Sequence, residues 1–290
     1  MLTPLGEVVD QAIDYLKTNE QDGLTVPTGL LDLNRALRGG LRRGVVTVLA
    51  GRPCLGKSIF AWQLAEHVAR TQGAVLYFSP SMSGYDLALS RLDTLCLTNH
   101  GGLLATLTAA MSGIGVAEAL DREKLVSFRA LPLLVDDDPT LSHDTLSERV
   151  LEYRRGPTGE AVRLVVLDDL ENICAYDVGD DEYVTARQAM EALAKIARDL
   201  DIPVFVTTGV TRRAEDRPHP SPVLADVWGG GAVEQVAKLV MGLYREEYYH
   251  PGTADKGTAK MEILKNAFGP AHVTCTVNFD AEGRAFADFC

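Results

Sequence analysis

A glycine, four further residues and then Gly-Lys-Ser occupy positions 51 to 58, inside the stretch LAGRPCLGKSIF. The apolar, β-branched run VVTVLA (45–50) precedes them, and the helical pattern SIFAWQLAEHVARTQ (58–72) follows. A buried strand that breaks into a glycine-rich loop and re-enters as a helix is a narrow constraint, because it asks for a sheet with helices packed against it. Gly51 and Gly56 stand where a side chain would intrude on a backbone wrapped around a phosphate. The following helix turns its free N–H groups and the positive end of its dipole towards that anion. Lys57 is placed to reach the β- and γ-phosphates of ATP, and the Ser58 hydroxyl to hold Mg²⁺. The expected nucleotide-binding segment is therefore Gly51, Arg52, Pro53, Cys54, Leu55, Gly56, Lys57 and Ser58. Cys54 lies inside the loop near a helix start. It is read either as a small residue that fits or as a thiol able to switch nucleotide binding.

The rest of the chain alternates strand and helix patterns. Strands are expected in VVTVLA, AVLYFS (74–79), LPLLVDDDP (131–139), VRLVVLDDL (162–170), IPVFVTT (202–208), AKLVMGLYR (237–245), AKMEILKN (259–266) and VTCTVNFD (273–280), the last closing the set. Helices are expected in YDLALSRLDTLCL (85–97), LSHDTLSERVLEYRR (141–155, with a serine or histidine cap) and EYVTARQAMEALAKIARDLD (182–201). This order implies an α/β domain with a mostly parallel sheet covered on both faces. The glycine-rich, polar stretches 209–232 and 250–258 are candidate mobile loops. Ahead of this domain, Leu5, Val8, Val9, Ala12, Ile13 and Leu16 form one apolar helical face before NEQDG breaks the pattern. The chain divides into a helical arm (1–22) and a nucleotide-binding domain (23–290). The arm either packs on its own domain or docks on a neighbouring subunit.

With 290 residues, the chain suits one large domain and a short appendage. The net charge of −12 argues against a surface that coats polyanions generally, though not against a narrow basic track. The five cysteines are scattered without metal-ligand spacing, so no zinc site is expected and reduced thiols in a cytoplasm are the simplest reading. No signal peptide or membrane span is expected, since no apolar run reaches roughly 18 residues.

A second motif supports the first. RLVVLDDL is an apolar strand ending in Asp168, the position from which a carboxylate orders Mg²⁺. Asp169 next to it is read either as a catalytic carboxylate that orients water or as a solvated residue at the strand end.

Taken in order, VPTGLLDLNRALRGGLRRGVVTVLAGRPCLGKSIFAWQLAEHVA, LYFSPSMS, LPLLVDDDPTLS, LVVLDDLENI, ALAKIARDLDIPVFVTT, GGGAVEQVAKLVMGLYREEYY and ILKNAFGP resemble the RecA-type motor domain of DnaB-like replicative helicases. The resemblance covers residues 26 to about 280. It implies a RecA-like fold, Mg-ATP bound between subunits of a ring-shaped hexamer, single-stranded DNA as a weak partner, and other replication proteins as partners. The helix at 5–18 resembles the linker helix that docks on a neighbour. The family's separate N-terminal domain is expected to be missing, because too few residues precede that helix.

The departures from the pattern fall on active positions. Ser81, preceded by Pro80, stands where the resemblance implies a glutamate that polarises the attacking water; a neutral hydroxyl cannot take a proton as a carboxylate does. Gly209 stands in place of a glutamine that senses the γ-phosphate. Lys265 keeps the lysine of a hairpin implied to reach the next subunit's nucleotide, but Ala267 replaces its arginine. The DNA-facing loop reads Trp228-Gly229-Gly230-Gly231, without the implied arginine. Trp228 is read either as a stacking surface for a base or as a tryptophan packed under a loop or in a subunit contact. Arg212, Arg213 and Arg217 are candidates for phosphate contact, although Glu215 and Asp216 among them fit a solvated loop equally.

Binding parts are kept and hydrolytic parts are missing. The expected protein is a divergent DnaB-like domain that binds Mg-ATP and hydrolyses it slowly or not at all. One alternative is an active helicase working through Asp169 and through Lys265 or Arg245 across an interface. Another is a non-catalytic nucleotide-binding scaffold. The segment EQVAKLVMGLYREEYY argues against a recombinase-like relative.

Overall fold

All five residues of strand Val46–Ala50 are buried, as a β-branched run with no polar face requires. In a computed structural model describing residues 3–18, 23–92, 122–156, 161–174, 182–281 and 284–289, this strand lies inside a nine-stranded sheet. The strands are β1 (Thr25–Val26), β2 (Leu41–Arg42), β3 (Val46–Ala50), β4 (Ala74–Phe78), β5 (Leu133–Asp136), β6 (Val162–Leu167), β7 (Val204–Thr208), β8 (Leu239–Tyr244), β9 (Thr258–Asn266), β10 (Val273–Asp280) and β11 (Ala285–Asp288). The helices are α1 (Leu5–Thr18), α2 (Leu31–Ala36), α3 (Lys57–Thr71), α4 (Gly84–Leu92), α5 (Arg122–Arg129), α6 (His143–Arg155), α7 (Leu170–Cys174), α8 (Glu182–Leu200), α9 (Gly230–Val236) and α10 (Glu246–Tyr249).

The large sheet runs β11-β10-β9-β8-β3-β7-β6-β4-β5. From β8 to β5 every neighbouring pair is parallel, while β9, β10 and β11 add an antiparallel wing. Side chains along a strand alternate between faces, and this splits the core in two. Leu49, Tyr77, Leu164, Val166 and Phe205 meet Phe60, Leu64 and Val68 of α3 on one face. Val46, Val48, Leu76, Val165 and Val206 meet Met190, Leu193 and Ala197 of α8 on the other. The parallel strands bring the ends of β3, β7 and β6 side by side at one edge. Ligands of open α/β sheets bind at such an edge.

Helix α6 starts where a capping residue allows it. Ser142 accepts from the Thr145 N–H, and the Thr145 hydroxyl accepts from the Ser142 N–H. The serine-or-histidine cap thus resolves to the serine. The helix expected over 85–97 starts at Gly84 and is described to Leu92; positions 93–97 lie outside the described residues.

Two features correct the expected strand set. An eleventh strand, Ala285–Asp288, pairs antiparallel with β10, and the short β1–β2 pair forms a separate sheet. Strands of four and two residues carry too little periodicity to stand out in sequence. The stretch 209–232 contains two 3₁₀ turns (Arg212–Asp216 and Leu224–Asp226), a bridge between Val210 and Val227, and the start of α9. The apolar face of α1 is exposed: Leu5 is 77% and Leu16 52% accessible, with Val8, Val9 and Ile13 also exposed. The Tyr15 hydroxyl donates to Asp201 at 3.0 Å. This overturns the reading in which the apolar face packs on its own domain.

Candidate nucleotide site

The phosphate loop leaves β3 at Gly51 and enters α3 at Lys57. Its glycines are used as the motif demands. Gly56 sits at φ +107°, and a Cβ there would lie 3.0 Å from the Phe286 ring; a Cβ on Gly51 would lie 3.1 Å from the Leu243 carbonyl. Neither position can carry a side chain without displacing its neighbours, so the cradle is walled by β8 and β11. Cys54 is exposed with φ +64°. Arg52 turns its side chain out of the cradle, donating to Glu215 at 2.8 Å. Leu55 is buried against the core, while Pro53 continues the loop surface.

The Lys57 ammonium donates to the carbonyls of Gly51 at 2.8 Å and Arg52 at 3.3 Å. Burial lowers its pKa, opposed by the charges of Glu171, Asp168 and Asp169, in that order of effect. Ser58 donates to the Asp168 carboxylate at 3.1 Å. Tyr77 donates to the same carboxylate at 2.9 Å, and Thr207 donates as well. Asp168 is 2% accessible. Burial raises its pKa against the three hydroxyl donors, and Asp169 adds to the rise. These groups fit a magnesium ion: a serine hydroxyl and an ionisable carboxylate share one hydrogen bond beside a helix start. Mg²⁺ would be held through Ser58, with Asp168 ordering its shell, and would supply positive charge to the terminal phosphates.

The neighbouring positions are placed as follows. The Asp168–Asp169 peptide bond is cis. The Asp169 carboxylate accepts from the Asn172 N–H at 3.1 Å and the Asn172 amide at 2.7 Å, starting α7. Ser81 is exposed beside the site and donates to the Asp168 carbonyl at 3.3 Å. Gly209 lies next to the loop, since the Gly51 N–H donates to the Thr208 carbonyl at 3.2 Å.

Sequence reasoning missed Glu171. It sits half-buried on α7 and accepts from the Gly209 N–H at 2.6 Å. Burial raises its pKa first, then Asp169; the Gly209 N–H and Lys57 oppose. The available signal was an acid three residues after Asp168, which a helical turn carries back towards the same edge.

Other expected residues fall elsewhere. Lys265 donates to the carbonyls of Glu234 and, at 2.8 Å, Ala237, at the C-terminal end of α9. Those carbonyls precede β8, at the edge opposite the phosphate loop, so Lys265 does not join its own chain's cradle. Burial lowers its pKa, helped by Lys238. Arg245 is committed at home: it pairs with Glu247 and its guanidinium lies 3.8 Å over the Phe279 ring. Arg217 is likewise held by the Asp226 carboxylate, at 2.9 and 2.5 Å, and by the Ser221 carbonyl at 2.8 Å. Its guanidinium is thereby tied to a buried carboxylate of its own chain. Trp228 packs half-buried against the core, and its backbone N–H donates to the Gly209 carbonyl at 3.0 Å. Arg212 and Arg213 are exposed.

A loop of this geometry, at the edge of a parallel sheet and facing a strand-end aspartate, defines a RecA-like P-loop domain. Residues 25–288 match the family model for the DnaB-like helicase C terminal domain, and the chain belongs to that family. It is 28% identical over 286 residues to the "Replicative DNA helicase DnaB" of Buchnera aphidicola subsp. Schizaphis graminum, covering 96% of this chain and 59% of that protein. The Pasteurella multocida protein of the same name is 28% identical over 274 residues, covering 91% and 56%. The chain thus spans under two thirds of the length of these relatives. Among solved structures, "ATPase Domain of G40P" superposes with a TM-score of 0.82 at 23% identity, covering 100% of both chains. A DnaB-like replicative helicase, solved with its interactions with primase, superposes with a TM-score of 0.82 at 23% identity, covering 100% of this chain and 68% of that one. Among the described residues, no helix is long and apolar enough to cross a membrane.

Proposed function

We propose that this domain binds Mg-ATP on Gly51–Ser58 with Asp168, assembles into a DnaB-like ring in the cytoplasm, and serves DNA replication or processing with slow or absent hydrolysis. The observation that carries this reading is the contrast within one site. The Ser58–Asp168 hydrogen bond and the Lys57 loop contacts suit nucleotide binding, whereas Ser81 offers a hydroxyl beside Asp168 where a carboxylate would speed turnover. The exposed apolar face of α1 supports an arm that docks on the next subunit. Lys265 lies at the edge away from its own cradle, which suits a lysine serving a neighbour's nucleotide. Partners are other copies of this chain, replication proteins and, weakly, single-stranded DNA through Arg212 and Arg213.

The test measures binding of a non-hydrolysable ATP analogue and phosphate release, with and without single-stranded DNA, for the wild type and Lys57→Ala. Tight Mg²⁺-dependent binding with slow release supports the reading. Fast, DNA-stimulated turnover overturns the slow-hydrolysis part. Absence of analogue binding overturns the whole.

A further inference from the structure

We propose that Glu171 is the carboxylate that holds and deprotonates the attacking water, so that the slow hydrolysis proposed above runs through a base on α7 rather than through position 81. The proposal rests on the nucleotide-binding reading and on four placements. First, the ends of β3 and β7 are adjacent, and the Gly51 N–H donates to the Thr208 carbonyl at 3.2 Å. Residue 209 therefore stands beside the first glycine of the cradle. Second, the Glu171 carboxylate lies where a side chain at 209 would begin: it accepts from the Gly209 N–H at 2.6 Å, and a Cβ on Gly209 would sit 3.2 Å from its carboxyl carbon. Third, Glu171 is half-buried on α7, the short helix that directly follows Asp168 and Asp169 at the end of β6, and its charge opposes the lowering of the Lys57 pKa by burial. Fourth, the other acids are engaged. Asp168 accepts from three hydroxyls, and Asp169 accepts from Asn172 at the start of α7.

An ionised carboxylate beside a bound triphosphate has nothing to accept from the phosphate itself. Its natural partner is a water lying between the two. In the step, the water oxygen bonds to the γ-phosphorus as the bond from that phosphorus to the β–γ bridging oxygen breaks. The electron pair of that bond leaves on ADP, the water's proton passes to the Glu171 carboxylate, and Glu171 later returns it to solvent. Burial and the Asp169 charge both raise the proton affinity of Glu171, the direction that suits a base. The Gly209 N–H fixes the carboxylate, which limits the reorganisation needed in the transition state.

The decisive variants are Glu171→Gln, which keeps an oxygen to accept from Gly209, and Glu171→Asp, which shortens the reach. Each is measured for binding of an ATP analogue, for binding of Mg-ADP with aluminium fluoride, and for single-turnover phosphate release. The expected result is analogue affinity within about threefold of wild type, loss of the extra affinity for the aluminium fluoride complex, and release slowed about 10²-fold or more. Adding Ser81→Glu to Glu171→Gln is expected to restore release. Wild-type rates in Glu171→Gln, unchanged aluminium fluoride affinity, or no release from the wild type overturns the proposal. A wild type that binds no analogue sinks the nucleotide-binding reading instead, and the proposal with it.

Discussion

The Glu171 carboxylate occupies the space that a side chain at Gly209 would need. A Cβ on Gly209 would collide with the Glu171 carboxylate, lying 3.2 Å from the carboxyl carbon, and the Gly209 N–H donates to that carboxylate at 2.6 Å. Gly209→Ala is therefore expected to push the carboxylate aside and to cost about 1–3 kcal/mol for a disturbed, partly buried charge-assisted bond. In a Glu171→Ala background the same change is expected to cost little. Thermal or denaturant unfolding of the four proteins closes the cycle. Equal losses in both backgrounds would show that the two residues do not share this space.

The cradle makes a similar demand at Gly56, where φ is +107° and the Phe286 ring is 3.0 Å from a built Cβ. Gly56→Ala is expected to cost about 1–3 kcal/mol through strained backbone. It should also weaken ATP-analogue binding at least tenfold. Unchanged stability together with unchanged affinity would mean that the loop has another accessible conformation.

Arg217 is expected to matter to the fold more than to DNA. Asp226 is 4% accessible, and Arg217 and the Val223 N–H supply its donors. Arg217→Ala is expected to cost about 1–3 kcal/mol by leaving a buried acceptor short of partners. Burial alone would raise the Asp226 pKa, but the Arg217 and Val223 hydrogen bonds outweigh it and the pKa falls below its ordinary value. The folded state therefore binds this proton less readily than the unfolded state. The stabilisation is present above the ordinary carboxylate pKa of about 4 and is lost as pH falls through the lowered value. The gap in unfolding free energy between wild type and Arg217→Ala should thus narrow below about pH 4. A gap independent of pH would remove the pair as its cause.

The exposed face of α1 makes the arm testable. Ile13→Asp with Leu16→Asp, or removal of residues 1–22, is expected to shift the sedimentation profile towards smaller species while leaving the domain's thermal transition in place. Both side chains are exposed in the single chain, so their replacement removes no core packing. An unchanged size distribution would mean that assembly does not use this helix.

Much of the frame was legible before any coordinates. β3, β4, β7 and β8 are continuous buried runs whose residues advertise burial on both faces, and β6 is one interrupted only by Arg163, while the loop 51–58 carries its own spacing. β11 was not legible, because four residues alternating inward and outward, of which only Phe286 is buried, resemble many exposed tails. Asp168 was legible from its place at a strand end. Glu171 was not, since the residue that gives it meaning lies 38 positions away and is a glycine.

By itself, the sequence determined the layered α/β architecture and the phosphate loop, because burial periodicity and backbone permissiveness are local properties of residue order. Only the tertiary structure decided how the charges are used. Glu171 turns to Gly209, Arg217 to Asp226, Arg245 to Glu247 and the Phe279 ring, and Lys265 to the end of α9. A long charged side chain reaches several partners at almost equal cost, and the choice among them depends on which groups the fold has buried nearby and left in need of a hydrogen bond.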